Sequence, residues 1–300
     1  MIVLGLVSQG RAVPTSGALA AVDPAIQPAP KVASTGAEID TVVRQGNDLY
    51  VGGIEGLSIL DLSSSISGSV TDPMGYPASG VQVSAAKSIT TTTDTGGQYS
   101  FSNLTTGSYV ITPTLPGFEF LPPQQTVTLP PEARQVNFTV LPGPATALEF
   151  PGITMTLSYT DIQGSVTSLM IPGSFYTDTM GVGLSPAMVN APKRTAWTGH
   201  AFDWEATQAG LRAARLAGKP AVATIHYTDF DVKNIKDEDK LTLRFWDGSG
   251  WVDTSGTCSP PSTPVLDNSA NVVTVPICRT GLYALFGPAN PYYLPLIYRN

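Results

Sequence analysis

The stretch from Ile66 to Val140 constrains the fold more than any other part of the chain, because apolar and polar residues alternate through nearly all of it. A period of two places every second side chain on the same face of a β-strand, so the pattern predicts strands with one buried face. Turn-forming residues separate these segments at Pro73–Gly75, Asp94–Gly97 and Thr106–Gly107. The stretch therefore predicts a small antiparallel β-sandwich. The predicted inward residues are Val81, Val83, Ala85, Tyr99, Phe101, Tyr109, Ile111, Val127, Leu129, Val136, Phe138 and Val140.

Four short motifs in this stretch stand in an order that resembles the carboxypeptidase regulatory-like domain. They are G-x-V-x-D from Gly68, G-V-x-V from Gly80, T-x-T-D-x-x-G-x-Y-x-F from Thr91 and L-x-x-G-x-Y from Leu104. The resemblance covers residues 65–141 and implies a transthyretin-like, carbohydrate-binding-like fold that serves as a non-catalytic accessory or spacer domain. Related adhesin repeats carry a Lys–Asn isopeptide bond with the lysine on the first strand. Lys87 is the only lysine in this module, so we expect no such cross-link.

Composition narrows the class of protein. Charged residues make up only 13% of the 300 residues, whereas Gly (29) and Pro (26) are plentiful, which suits β-sheet modules with many turns. The net charge of −7 leaves no basic patch to neutralise phosphates, so we expect no nucleic-acid partner. No segment reaches the roughly 20 apolar residues that cross a bilayer, so we expect no membrane span. No motif indicates a cofactor.

Residues 1–64 carry two similar segments, Val13–Val22 and Leu49–Leu62. The second resembles the end of an LVIVD-type β-propeller repeat, and the first resembles a degenerate copy of it. We interpret the region as a partial β-propeller, either in a fragment of a longer protein or as a minor sheet; two unrelated strands are the alternative. Met1–Val7 is apolar but too short for a good signal peptide, so we expect the true N-terminus upstream.

The remainder is predicted to comprise a linker at 142–145, a second β-sandwich at 146–288 and a tail at 289–300 that is either a sorting signal or an edge strand. Several of its segments resemble the C-terminal β-sandwich of secreted proteins from environmental bacteria. The segments are Pro172–Gly173, His226–Asp229, Leu241–Trp251 and Cys278–Gly287. Glu205–Ala217 fits either a helix or two short strands, and the all-β context favours strands. The fold class is thus all-β, with tandem sandwiches after a partial propeller.

Two cysteines, Cys258 and Cys278, lie in the second predicted sandwich. A lone pair at this spacing favours one disulfide, and two buried free thiols are the alternative. A disulfide also agrees with an extracellular location.

Little in the sequence points to chemistry. The motifs of serine hydrolases, zinc peptidases and phosphate-binding loops are missing, and only His200, after a predicted turn, and His226, in a predicted strand, could complete a triad. Asp229, Asp231 and Asp237 are weak candidates for Ca²⁺ ligands. Lysines interleave with these carboxylates, so a solvated loop is the favoured interpretation.

Aromatic side chains are the other candidates for a binding site. All four tryptophans lie in the second sandwich, and flat aromatic faces can stack on sugar rings. Trp246 and Trp251 flank a predicted hairpin turn, so pairing across two strands is the favoured alternative. The candidates for glycan stacking are Trp197, Trp204, Trp246 and Trp251.

The sequence as a whole favours a non-enzymatic, extracellular or cell-surface bacterial protein that acts in display, spacing or adhesion. A carbohydrate-binding module, with a polysaccharide or cell-surface glycan as partner, is the second hypothesis. The third is the accessory part of a larger exported hydrolase.

Overall fold

The computed structural model describes residues 39–45, 48–53, 56–61, 64–86, 89–129, 132–173, 178–208, 211–212 and 220–291. Within these ranges the chain forms β-strands, turns and two 3-10 helices, and it forms no α-helix. The described part contains no helix long and apolar enough to cross a bilayer. The prediction of an all-β fold with tandem sandwiches is therefore confirmed. The proposed repeat at Val13–Val22, Lys87 and the tail at 292–300 lie outside the described ranges.

The chain divides into two compact units, of which the first contains the residues up to Ser64 together with Ser102–Gly107. Its described strands before Ser64 form one antiparallel meander: β1 (Ile39–Gln45), β2 (Asp48–Gly53) and β3 (Gly56–Asp61). Over the described residues this is a three-stranded sheet and not a closed propeller. The prediction of a propeller-like region is not confirmed.

The second unit contains the remaining residues and includes both sandwiches. The first, termed the regulatory-like sandwich, has sheets in the orders β10-β8-β5-β6 and β7-β4-β11-β9. Of the predicted inward residues, Tyr109 and Val127 are half-buried and the others are buried between the sheets. Its strands are β4 (Ser64–Thr71), β5 (Gln82–Ala86), β6 (Ile89–Thr92), β7 (Gln98–Leu104), β8 (Gly107–Thr114), β9 (Phe118–Leu121), β10 (Gln125–Leu129) and β11 (Phe138–Pro142).

The second sandwich, termed the C-terminal sandwich, begins three residues after β11 ends, since Pro142 closes β11 and Ala145 opens β12. Only Gly143 and Pro144 connect the two sandwiches, and the Gly143 amide donates to the Gly117 carbonyl at 2.7 Å. The domain boundaries inferred from the sequence remain proposals.

One sheet of the C-terminal sandwich has seven strands, ordered β12-β15-β16-β23-β19-β20 with β17 beside β16. The other has five, ordered β13-β14-β18-β22-β21. The strands are β12 (Ala145–Glu149), β13 (Met155–Thr160), β14 (Val166–Ile171), β15 (Met180–Pro186), β16 (Thr195–Gln208), β17 (Leu211–Arg212), β18 (Ala221–His226), β19 (Thr242–Trp246), β20 (Trp251–Asp253), β21 (Val265–Asp267), β22 (Val272–Ile277) and β23 (Gly281–Pro288). The 3-10 helices are Glu238–Lys240 and Thr254–Thr257.

A single apolar core lies between these two sheets. Its largest members are Phe202, Trp204 and Tyr283 from the seven-stranded sheet, which face Leu169 and Ile225 from the five-stranded sheet. Both sheets contribute alternate residues, as period-two patterning requires. In the ambiguous segment Glu205–Ala217, the described residues are strand, at the end of β16 and in β17.

Candidate functional site: the joint between the two sandwiches

The site begins with two turns of the same design, one in each sandwich. Asp72 accepts hydrogen bonds from the amides of Met74 and Tyr76, both at 2.8 Å. Asp161 accepts in the same way from the amides two and four residues later, at 2.9 and 2.8 Å. Short acidic side chains favour such turns because they satisfy local backbone donors. The turn predicted at Pro73–Gly75 is therefore confirmed, and the second turn carries the residue that connects the sandwiches.

Gln163 connects the two sandwiches. Its side-chain nitrogen donates to the Asp72 carboxylate at 2.8 Å and to the Asp231 carboxylate at 2.8 Å. Its side-chain oxygen accepts from the Thr228 hydroxyl at 2.9 Å. One amide group therefore binds a carboxylate from each sandwich, and every polar atom of the Gln163 side chain has a partner.

Asp231 and His200 form the buried centre of the site. Asp231 is 1% exposed and His200 is 6% exposed, and 3.1 Å separates His200 Nε2 from the Asp231 carboxylate. The same carboxylate accepts from the Thr228 amide at 2.7 Å. A buried carboxylate needs such donors, since removal from water is costly for a charge. The sequence predicted a turn before His200, whereas the structure places it inside β16, next to an irregularity in the strand register.

Apolar and cationic contacts surround this centre. The rings of Tyr76 and Phe230 meet edge to face, with centroids 5.2 Å apart. Lys233 Nζ lies 3.3 Å from the centroid of the Phe230 ring and donates to the Met74 carbonyl at 3.0 Å. Gly199 has a φ of +90° and lies directly against the Met74 side chain. These residues, with Asp72, Asp161, Gln163, His200 and Asp231, are termed the joint.

A small cavity of about 30 Å³ lies at the centre of the joint. Its polar lining comes from Asp72, Asp161, Gln163, His200 and Asp231, and its apolar lining comes from both sandwiches. A polar cavity of this volume has room for a water molecule. It is far below the several hundred Å³ of an ordinary ligand pocket.

The carboxylates of the joint differ in acidity. Burial raises the pKa of Asp72 and of Asp161 above the usual 3.8. Burial also acts to raise the pKa of Asp231, but hydrogen bonds and charge from His200 and the Thr228 donors outweigh it, so the pKa of Asp231 lies below 3.8. Asp231 is therefore the carboxylate that the structure holds ionised.

The two histidines were the candidates for a catalytic triad in the sequence. No serine or cysteine side chain is hydrogen-bonded to His200 within the described ranges, so the His–Asp contact lacks the nucleophile of a triad. His226 is exposed at the end of β18. Neither histidine is part of a catalytic constellation that the structure describes.

The three calcium candidates have separate partners. Asp231 belongs to the joint, Asp229 accepts from Asn271 at 3.2 Å, and Asp237 pairs with Lys240 at 2.8 Å. Among the residues that the structure describes, no group of three or more His, Cys, Asp or Glu side chains is arranged to hold a metal ion.

The four tryptophans differ in environment. Trp204 is fully buried in the core, so it presents no face for the glycan stacking considered from the sequence. Trp246 and Trp251 are directly opposite in β19 and β20, with ring centroids 5.5 Å apart, and Trp251 also packs on Phe286. Trp197, like Trp251, packs against a small buried cluster of Ala201, Ala284 and Phe286. Trp246 remains the most accessible, at 38% exposed.

Cys258 and Cys278 form a disulfide with Cα atoms 5.0 Å apart. Cys258 follows the second 3-10 helix and Cys278 follows β22. The disulfide therefore connects the loop after β20, a strand of the seven-stranded sheet, to the end of β22 in the five-stranded sheet.

Comparisons with solved structures give only distant similarities. The major pilin subunit BcpA of Bacillus cereus, and its D312A variant, are each 12% identical to this chain, with a TM-score of 0.26, and cover 75% of it. A streptococcal ancillary pilin is 10% identical, with a TM-score of 0.25 and 85% coverage. The chain spans 57% of the Bacillus cereus subunit and 66% of the streptococcal pilin. Similarity at these TM-scores supports no inference about function.

No curated protein matches the chain. A family model does match, and it covers the sandwich that carries the four sequence motifs. Residues 65–141 match the carboxypeptidase regulatory-like domain, which confirms the resemblance inferred from those motifs.

Proposed function

We propose that this chain is a non-catalytic extracellular or cell-surface protein that acts in display, spacing or adhesion, and that its two sandwiches work as one rigid element. The observation that carries the proposal is the joint. A connection of only Gly143 and Pro144 limits how far the sandwiches can separate, and Gln163 binds carboxylates from both sides. A spacer needs a fixed geometry between its ends, and a short connection with buried polar contacts provides it.

The disulfide supports an extracellular location, because such bonds persist in oxidising compartments. The low proportion of charged residues and the many turns agree with a β-protein at the cell surface. The regulatory-like match supports an accessory role for the first sandwich.

The test is a distance distribution measured across the joint in the full chain. Nitroxide labels on cysteines introduced at exposed Gln82 and Thr242 report on the two sandwiches, since both natural cysteines are already bonded. A second pair at Met170 and Thr242, both exposed and on different sheets of the C-terminal sandwich, gives the width expected of a rigid body. We expect the two distance distributions, measured by pulsed electron paramagnetic resonance, to be equally narrow.

Gln163→Ala should broaden the Gln82–Thr242 distribution and leave the Met170–Thr242 distribution unchanged. Gln98→Ala is the matched control, because Gln98 also belongs to an Asp-initiated turn but contacts only the nearby Gly96 carbonyl, at 3.5 Å. A wild-type distribution across the joint that is as broad as that of a flexible tether would refute a rigid element.

Glycan binding is a second candidate function, favoured by the exposed fraction of Trp246 and its contact with Trp251. Rings in this arrangement offer an apolar surface to a sugar. A panel of polysaccharides and cell-wall glycans, with Trp246→Ala and Trp251→Ala as controls, separates it from the first proposal. Glycan recognition is supported if the wild-type chain binds a glycan saturably and at least one variant, still folded, does not bind it. It is rejected if the wild-type chain binds nothing in the panel.

A further inference from the structure

The joint places carboxylates from both sandwiches around a single amide nitrogen. Asp72 from the regulatory-like sandwich and Asp231 from the C-terminal sandwich each lie 2.8 Å from the side-chain nitrogen of Gln163. Both carboxylates are buried, with exposed fractions of 8% and 1%. Like charges this close repel each other, and low hydration strengthens that repulsion.

Asp72 is the carboxylate whose surroundings change most if the sandwiches separate. The partners of Asp231 are Gln163, His200 and Thr228, and all of them belong to its own sandwich. Asp72 keeps its bonds to the amides of its own turn but loses Gln163 and regains water. Docking therefore removes one carboxylate from water and sets it opposite another.

We propose that the joint is a pH-responsive contact, in which the two sandwiches dock more tightly when a proton binds the cavity-facing carboxylates Asp72 and Asp161. The inference rests on the proposed function, because it concerns the contact that makes the two sandwiches one element. It adds that pH controls the strength of the contact between the two sandwiches.

The direction follows from linkage. Burial raises the pKa of Asp72 above 3.8 in the docked state, and separation removes that burial while the turn amides that lower the pKa stay in place. The docked state then binds a proton more tightly than the separated state, so docking strengthens as pH falls through the docked pKa and weakens as pH rises. Asp161 lines the same cavity, which residues of the regulatory-like sandwich close, so docking shields it from water and the burial raises its pKa in the same direction.

The other charged and titratable groups around the cavity do not reverse this direction. His200 lies 3.1 Å from Asp231 within the C-terminal sandwich, so docking does not bring these two groups together. Asp231 keeps its charge, because its pKa lies below 3.8. Burial raises the pKa of Tyr159, which stays neutral. The Lys233 charge attracts an ionised Asp72 across the joint and so acts in the opposite direction, but burial is the largest influence on the pKa of Asp72. Asp229 is exposed, where water screens its charge.

The experiment measures the Gln82–Thr242 distance distribution in the full chain at constant ionic strength from pH 8 to pH 4. This range stays above the region where Asp231 would lose its charge. The fraction of molecules in the narrow, docked component should rise as pH falls. One proton taken up on docking changes the ratio of docked to separated molecules by at most about tenfold for each pH unit.

Asp72→Asn should reduce the pH dependence by at least half, and Asp72→Asn with Asp161→Asn should abolish it. Circular dichroism checks that each variant is folded, and Asp94→Asn, in the matching exposed turn, serves as the control with wild-type pH dependence. A docked fraction that does not change with pH in the wild type would overturn the inference and leave the rigid element intact. A full wild-type slope in the folded double variant would overturn it as well. A broad distribution at every pH would instead reject the proposed function.

Discussion

The C-terminal sandwich buries carboxylates in two places and treats them differently. At the joint, Asp231 is 1% exposed and accepts hydrogen bonds from His200, Gln163 and Thr228. At the end of edge strand β12, Glu149 is fully buried, and neither of its carboxylate oxygens has a hydrogen-bond partner among the residues described. The same chemical group is part of a network in one place and isolated in the other.

The difference shows that burial alone does not decide what a polar group contributes. A carboxylate with donors on both oxygens recovers much of its lost hydration, and removing it leaves its partners unsatisfied. A buried carboxylate without donors loses its hydration and gains no hydrogen bond in return, so its burial only destabilises the fold. Substitutions at Asp231 and Glu149 should therefore change stability in opposite directions.

The largest effect is expected at the joint. Asp231→Ala leaves His200 and the Thr228 amide without their acceptor, and removing one member of a buried charged network costs about 3–5 kcal/mol. Urea unfolding followed by tryptophan fluorescence measures this loss in the C-terminal sandwich alone, because all four tryptophans lie there. Asp229→Ala is the control, since Asp229 is exposed and should change stability by about 0.5 kcal/mol or less. Equal losses in both variants would contradict the assigned role of Asp231.

The opposite sign is expected at the sheet edge. Glu149→Leu removes an isolated buried carboxylate and should stabilise the C-terminal sandwich by about 1–3 kcal/mol at pH 7. Burial raises the pKa of Glu149 above its usual 4.5 in the folded state. The penalty is therefore absent below that usual value and grows as pH rises through the folded pKa.

Urea unfolding at pH 4 and pH 7 checks both the sign and the pH dependence at Glu149. The gain should be smaller at pH 4, where the wild-type carboxyl is largely protonated in both states. Glu205→Leu, an exposed carboxylate two strands away in the same sheet, is the control and should show no such growth with pH. Destabilisation by Glu149→Leu at both pH values would show that the carboxylate has a structural role.

Local patterns predicted most of the strands. Val81, Val83 and Ala85 are all buried as their alternation requires, because side-chain direction in a strand depends on sequence position alone. The turn at Pro73–Gly75 was predicted for the same reason, because Gly75, at a φ of +84°, and the adjacent Asp72 carboxylate satisfy a local backbone geometry. These features need no knowledge of the tertiary structure.

The joint was not predictable in this way. Gln163 lies 91 residues from Asp72 and 68 from Asp231, and neither spacing has a local signature. The one available signal is the repeat of the Asp72 turn pattern at Asp161, which predicts a second turn but not that the two meet. The burial of Trp204 was not predictable either, because the sequence around it does not show which face of β16 points to the core.

The predicted location of His200 after a turn was wrong because of the glycine that precedes it. Gly199 suggests a turn in the sequence, but the chain continues as β16 through an irregular register between Trp197 and Ala201. The positive φ of Gly199 accommodates that irregularity, and the missing side chain admits Met74 from the other sandwich. A glycine inside a strand had a packing role that sequence patterns do not reveal.

Gly199→Ala separates strain in the strand from contact across the joint. An alanine at φ +90° is strained by about 1–2 kcal/mol, and its Cβ would lie 2.6 Å from Met74 Cγ. Gly248→Ala has the matching strain, with a φ of +99°, but no atom lies within 4 Å of its Cβ. We expect both variants to lose comparable stability in urea unfolding, whereas only Gly199→Ala broadens the Gln82–Thr242 distance distribution. Similar distributions in the two variants would mean that the Met74 contact does not hold the sandwiches together, and the fixed geometry would then depend on the Gln163 bridge and the two-residue connection.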